Sequence, residues 1–240
     1  MNDRATFGSL TRFLAIVGDE RLSDGPATAC DAQRMNHSLH PLLAGRWSPT
    51  RFDPAHEIAE DETEVLLQAA RWAPSAGNSQ PWAFIVARRG TADHGRLIRY
   101  LAGSSAAWAP SASLLVANLS HRLVEDTDWE FSEFSVYDLG QAVAHMSIQA
   151  QALGLHVRQF RAFDRDGIAR EFAVPEHWEV TTLAAIGRAA PGPGRVSSLE
   201  DTGESSVRSR RALDEIVWPV AQPPGRPNAR RTVRAPAESL

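Results

Sequence analysis

Apolar residues recur at helical spacing from Ile58 to Trp72, at Ile58, Val65, Leu66, Ala69 and Trp72, with acidic residues concentrated in the early turns. That pattern predicts an amphipathic helix. It is followed by an unbroken apolar run, Trp82 to Ala87, of the length of a buried strand, then a turn at Arg89-Gly90 and a helix through Leu97 to Leu101. Ser113 to Asn118 reads as a second buried strand. The longest periodic segment runs from Val136 to Leu153, where Val136, Leu139, Val143, Met146, Ala150 and Leu153 follow a 3,4,3,4,3 spacing. Ala142, Ala144, Ile148 and Ala152 add apolar character on the opposite side, so this helix offers a second surface to a neighbour, as a central helix at a dimer interface would. Gly154 is suited to a left-handed C-terminal turn, and Leu155 to Phe160 reads as a strand. A short helix over 164–173 and a strand from Thr181 to Ile186 complete the ordered pattern.

The ends lack such patterning. Residues 1–38 mix short apolar patches with Asp, Glu, Gly and Ser and are expected to form a flexible N-terminal extension. A Pro/Gly/Ser-rich linker from Ala190 to Ser206 precedes a short helix from about Ser209 to Ile216, and residues 221–240 form a flexible Pro/Arg-rich tail. One functional domain, residues 39–220, remains. Strands separated by helices point to an α/β or α+β class, while the absence of Gly-x-Gly-x-x-Gly after any strand disfavours an ordinary dinucleotide-binding fold.

At 240 residues and 43% hydrophobic, the chain can bury about 70–75% of the surface of its unfolded form, enough for one good core. A formal net charge of -4 and a pI near 6.1 give no electrostatic reason to expect nucleic acid or an anionic membrane as partner. A small molecule is the expected ligand. All 25 basic residues are arginine, which excludes a lysine Schiff base and a Walker-type lysine. Cys30 is the single cysteine, so no intramolecular disulfide or cysteine-rich metal site forms, and the eight histidines show no ligand spacing. No apolar run approaches a membrane span. A cytoplasmic protein without metal is the expectation.

The chemistry concentrates in three places. Pro74-Ser75-Ala76-Gly77-Asn78-Ser79-Gln80-Pro81-Trp82 combines stiffening prolines, a glycine that allows close backbone approach, and short polar side chains able to meet a flat heterocycle. Arg46-Trp47-Ser48-Pro49-Thr50-Arg51 and Arg208-Ser209-Arg210-Arg211 each pair guanidinium forks with a hydroxyl, a combination suited to a phosphate monoester.

Taken together and in this order, the three elements resemble those of the FMN-dependent nitroreductase family, over about Leu42 to Val217. The family's Pro-Ser-x-x-Asn-x-Gln-Pro-Trp element matches Pro74 to Trp82 without a break. Its Arg-x-Ser-x-Arg/Lys element falls on Arg46 and Ser48, with Thr50 departing at the third position and Arg51 one residue later. The resemblance implies an α+β fold with a mixed sheet of four or five strands flanked by helices, and a homodimer with an extended C-terminal segment for which Val217, Trp218 and Val220 are suitable anchors. It also implies FMN held by Arg46, Ser48, Thr50, Arg51, Pro74, Ser75, Asn78, Gln80, Arg208 and Arg210, with the backbone of Arg161 and Ala162 near the hydride-accepting nitrogen. Ser104, Ser105 and Trp108 border the expected ring edge. Trp129, Phe131 and Phe134, in an acidic segment, are candidates for a substrate-covering lid or a satellite core. The implied activity is hydride transfer from NADH or NADPH through FMN to nitroaromatic or quinone-type acceptors by a ping-pong mechanism, at sites between two subunits. No side chain is required as nucleophile. The competing readings are a specialised member of the same superfamily, of reductive dehalogenase or flavin-fragmenting type, and a non-catalytic flavin-sequestering protein.

Overall fold

The computed structural model describes residues 39–191 and 210–219. Its centre is a four-stranded sheet in the order β1-β2-β4-β3, where β1 is Trp82–Arg88, β2 Leu114–His121, β3 His156–Phe160 and β4 Trp178–Gly187. The strand run expected at Trp82 to Ala87 becomes β1, and β2 extends the second run through Ser120 and His121. Helices α1 (Pro41–Gly45), α2 (Glu60–Arg71), α3 (Ala92–Ile98), α4 (Gly103–Ala106), α5 (Ser135–Ala152), α6 (Arg165–Glu171) and α7 (Leu213–Ile216) complete the order.

The α+β class and four strands agree with the sequence reading, but the expected mixed pairing does not occur among the described strands. All three pairings are antiparallel. The reason lies in the insertion of β4. The α5 crossover brings β3 back in the direction of β2, yet β4 enters between them and runs opposite to both.

Alternation along β2 divides the core into two layers. Leu114 and Val116 pack with Leu66, Ala70, Ala142 and Met146 under α2 and α5, whereas Leu115, Ala117 and Leu119 pack on the other face with Leu97, Ile168 and Phe52. Helix α5 buries Leu139, Val143, Met146 and Ala150 as its stripe predicts, but Val136 at the stripe's start is exposed. In α2 the phase differs more. Thr63, Leu66 and Ala70 are buried, while Val65 and Trp72 stand out in solvent, Trp72 at 79%. Both helices therefore keep apolar residues, Val65, Trp72, Val136 and Tyr137, on faces that the described residues leave exposed. Near the C-terminus only Leu213–Ile216 is helical among the described residues, so the helix expected from Ser209 starts later. Gly154 takes φ 72 after α5, the left-handed turn read from the sequence.

Candidate functional site

Arg46, Ser48 and Thr50 lie on the segment that follows α1 and wraps the end of the sheet where β4 finishes. Phe52 bridges Ala189, the Asp53 N–H donates to the Arg188 carbonyl at 2.9 Å, and the Ala190 N–H donates to the Arg51 carbonyl at 3.0 Å. The Trp47 ring meets His156, the first residue of β3, edge-on at 5.0 Å. Arg46 and Ser48 are thereby brought together, both half-buried, with Arg46 Nη1 donating to Ser48 Oγ at 3.4 Å. Thr50 is half-buried, and Arg51 uses its carbonyl for the bridge while its side chain is exposed. Arg210 is exposed ahead of α7; Arg208 lies outside the described residues.

At the other end of β3 the chain turns through Arg161 and Ala162. The Ala162 carbonyl accepts from the Ala102 N–H at 3.0 Å and from Ser105 Oγ. The Phe163 N–H donates back to the Arg161 carbonyl at 3.0 Å. In a trans peptide the N–H points opposite to the preceding carbonyl. The Ala162 N–H is therefore directed away from Phe163, and among the described residues it has no acceptor. Ser105, buried at the core of this turn, is a positioning group whose role was not legible beforehand; its place two residues after a helix-opening glycine carries no such signal.

Pro74 to Trp82 forms a tight loop at the start of β1, with a 3₁₀ turn at Ala76–Asn78. Gly77, Asn78 and Gln80 all adopt positive φ, 58°, 56° and 50°. Such a backbone costs an ordinary residue about 1–2 kcal/mol. Side-chain bonds help hold it. Ser75 Oγ accepts from the Gln80 N–H at 3.0 Å, Gln80 Nε2 donates to the Asn78 carbonyl at 3.3 Å, and the buried Asp138 of α5 accepts from the Ala76 N–H at 3.0 Å. With Ser75 turned to the loop itself, Asn78, Gln80 and Pro74 remain exposed.

Among the described residues, the polar loop does not converge with the Ala162 turn or with Arg46 within one chain. The loop precedes β1 and the Ala162 turn follows β3, the two opposite edges of the sheet, so three interstrand spacings, about 14 Å, separate them laterally. Arg46 is farther still. Ala76 is tied to Asp138 while Gly45 faces Gln151, thirteen positions along α5 and about 20 Å apart at the rise of a helix. A ligand lying along β3 meets Arg46, Ser48 and the Ala162 N–H of one chain but not the polar loop of that chain.

The lid candidates occupy another corner. Phe131 stacks on His121 at 3.8 Å, and Trp178 stacks on the other face of the same imidazole at 4.6 Å, which makes Phe131 part of a satellite cluster. Desolvation, then the neighbouring His177, pushes the His121 pKa below the ordinary histidine value. Trp129 is 76% exposed and Phe134 46% exposed, just ahead of α5. An open pocket of about 460 Å³ beside them is lined by Glu125, Asp126, Asp128 and Glu176. Four carboxylates repel a phosphorylated ligand, so this is not the phosphate site. No group of His, Cys, Asp and Glu among the described residues is placed to hold a metal ion, and no described helix is long and apolar enough to cross a membrane.

Comparison with known proteins adds an independent line. Residues 43–117 match the model of the nitroreductase family. Over 52 residues the chain is 38% identical to the major NAD(P)H-flavin oxidoreductase of Aliivibrio fischeri, covering 22% of this chain and 24% of that protein, so the alignment spans about a quarter of this relative. A longer alignment, 27% identical over 139 residues, covers 55% of the chain and 74% of an Archaeoglobus fulgidus protein assigned as NADH dehydrogenase/NAD(P)H nitroreductase. The crystal structure of an oxidoreductase containing FMN superposes with a TM-score of 0.62 at 25% identity, covering 78% of this chain and 99% of that one. The unbroken Pro74 to Trp82 element lies inside the segment, residues 43–117, that matches the nitroreductase family, and the chain shares the fold of that FMN-containing oxidoreductase.

Proposed function

We propose that the protein is an FMN-dependent NAD(P)H oxidoreductase that works as a homodimer, with nitroaromatic or quinone-type compounds as acceptors. The observation that carries this reading is the Ala162 N–H, fixed in direction by the bonds around it and left without an acceptor at the open edge of β3. A rigid, unused backbone donor beside a flat site suits the hydride-accepting nitrogen of a flavin. Bound FMN supplies the redox chemistry, taking a hydride from the nicotinamide and passing it to the acceptor.

The residues present fit that group. Arg46, Ser48 and Arg210 offer charge-assisted bonds to the phosphate, each worth about 1.5–3 kcal/mol. The Ala162 N–H offers a hydrogen bond to the ring. Because the polar loop stands on the opposite sheet edge, Ser75, Asn78 and Gln80 are assigned to the flavin of a partner chain, and the uncovered apolar residues Val65, Trp72, Val136 and Tyr137 supply surface for that partner. Leu213, Ile216, Val217 and Trp218, all exposed, suit a C-terminal segment that reaches across. Donor and acceptor share one exposed face, hence ping-pong kinetics.

The test is direct. The purified protein is examined for a yellow ligand, the ligand is released and identified, and oxidation of NADH and NADPH is followed with a quinone and with a nitroaromatic. A colourless protein that takes up no FMN sinks the reading; bound FMN without NAD(P)H oxidation replaces it with the sequestering alternative.

A further inference from the structure

Five arginines among the described residues are half-buried: Arg46, Arg89, Arg96, Arg122 and Arg158. Four have polar partners. Arg46 donates to Ser48, Arg89 to the carbonyls of Ser111 and His56, Arg96 to Asp93 and Glu171, and Arg122 pairs with Glu179. Arg158 has neither a carboxylate nor a hydrogen-bond acceptor among the described residues, and its one close partner is the Trp108 ring, 4.8 Å from its guanidinium carbon. Burial pushes its pKa below the usual arginine range, and no acidic neighbour offsets that push. A desolvated cation without a counter-charge is costly to keep. Stacking on an indole recovers only about 0.5–2 kcal/mol.

The position of Arg158 says what would satisfy it. It is the middle residue of the edge strand β3, two residues after His156, which touches Trp47 beside Arg46 and Ser48, and four before Ala162. A flavin mononucleotide with its phosphate at Arg46 and its central nitrogen at Ala162 places the pyrimidine edge, N1 and the C2 carbonyl, between those two ends. That edge accepts hydrogen bonds in the oxidised ring and carries the negative charge of the reduced ring at neutral pH.

We propose that Arg158, held flat by Trp108, donates to the N1–C2 carbonyl edge of the flavin and binds the reduced form more tightly than the oxidised form. This inference rests on the FMN reading above. It assigns to a strand residue the positive charge that Thr50 does not supply and that Arg51, with its side chain in solvent, is not placed to give.

The experiment compares the parent holoprotein with Arg158→Met, which keeps the aliphatic stem against Trp108, and Arg158→Lys, which keeps the charge. Two quantities are read: the dissociation constant of oxidised FMN by fluorescence quenching, and the midpoint potential by equilibration with a reference dye. Arg158→Met is expected to weaken oxidised FMN by less than about threefold and reduced FMN by about tenfold more, equivalent to a potential lowered by about 30 mV for a two-electron couple. Arg158→Lys is expected to retain most of the parent potential. A folded, FMN-loaded Arg158→Met with the parent potential overturns the inference and leaves the FMN reading standing. A parent protein that takes up no FMN overturns both. Should Arg158→Met not fold, Arg158→Gln removes the same charge and is read by the same two measurements and the same criteria.

Discussion

The proposed division of the site between opposite sheet edges of two chains predicts complementation between two inactive chains. One chain carries Arg46→Ala and Arg210→Ala, and the other carries Asn78→Gly and Gln80→Gly. Glycine is chosen for the second pair because both positions have positive φ, which alanine would strain by about 1–2 kcal/mol while glycine adopts it freely. Loss of the two guanidinium groups removes charge-assisted bonds of about 1.5–3 kcal/mol each, so FMN binding to the first chain weakens by at least tenfold. The loop is about 14 Å from the β3 edge of its own chain, too far for its side chains to reach a flavin lying there. Random association of the two variants gives hybrids as about half of all dimers, and each hybrid holds one doubly damaged site and one intact site. Flavin occupancy, read from absorbance after gel filtration of a co-refolded or co-expressed mixture, is expected to rise from near zero to about one FMN per four chains. Occupancy that stays at the level of the separate variants at every mixing ratio would refute the reasoning, because it would mean that both halves of each site come from one chain.

Three further outcomes test the surrounding structure. Asp138→Ala removes the acceptor of the Ala76 N–H and of Gln141 Nε2, at 3.0 and 3.2 Å; urea unfolding is expected to show a loss of about 1.5–3 kcal/mol, with Asp138→Asn milder because it keeps an acceptor, and a loss below about 0.5 kcal/mol for the alanine variant would count against the tie. Gly167→Ala would drive a methyl group into the Tyr100 ring and the Asp164 carboxylate that caps α6; a loss of about 1–3 kcal/mol is expected from thermal or urea unfolding, and parent-like stability would show that this turn is looser than described. His94 is buried, and desolvation followed by the nearby Arg89 lowers its pKa from 6.5, as desolvation also does for His56 and His121. The unfolded chain therefore takes up protons first as the pH falls, so this contribution to stability is complete above about pH 6.5 and is lost as the pH drops below that value toward the lower folded values. His94→Leu is expected to reduce the acid-side loss in urea midpoints, and a parent midpoint that does not change between about pH 7.5 and about pH 5 would refute the assignment.

Much of the sheet was legible because its strands read as apolar runs, whether half-buried at the edge, as in Trp82 to Ala87, or buried in the middle of the sheet, as in Ser113 to Asn118 and Thr181 to Ile186. The inward side of α2 was not. Val65 and Trp72 carry as strong an apolar signal as Leu66, and a pattern of spacings cannot tell residues facing the chain's own core from residues left for another molecule. The polar loop was recognisable from its residue types, yet the side on which it acts depends on strand order, which β4 sets by entering between β2 and β3. Arg158 carries no sequence signal for a related reason. In His-Val-Arg-Gln-Phe it fits the alternation of a strand with one wet face, and only the packing of Trp108 reveals that its guanidinium is half out of water.

The turn at Ala162 has a consequence for how such proteins diverge. Its donor belongs to the main chain, so replacing the side chain there with any residue that tolerates the local dihedrals leaves the proton where it is; only proline deletes it. Selection can therefore see this position through the shape of the turn and through Ser105, which grips the adjoining carbonyl, far more than through the identity of the residue itself. If the proposed role of this donor holds, substitutions at position 162 that preserve the turn are expected to spare flavin binding, whereas a change that reshapes the turn is not.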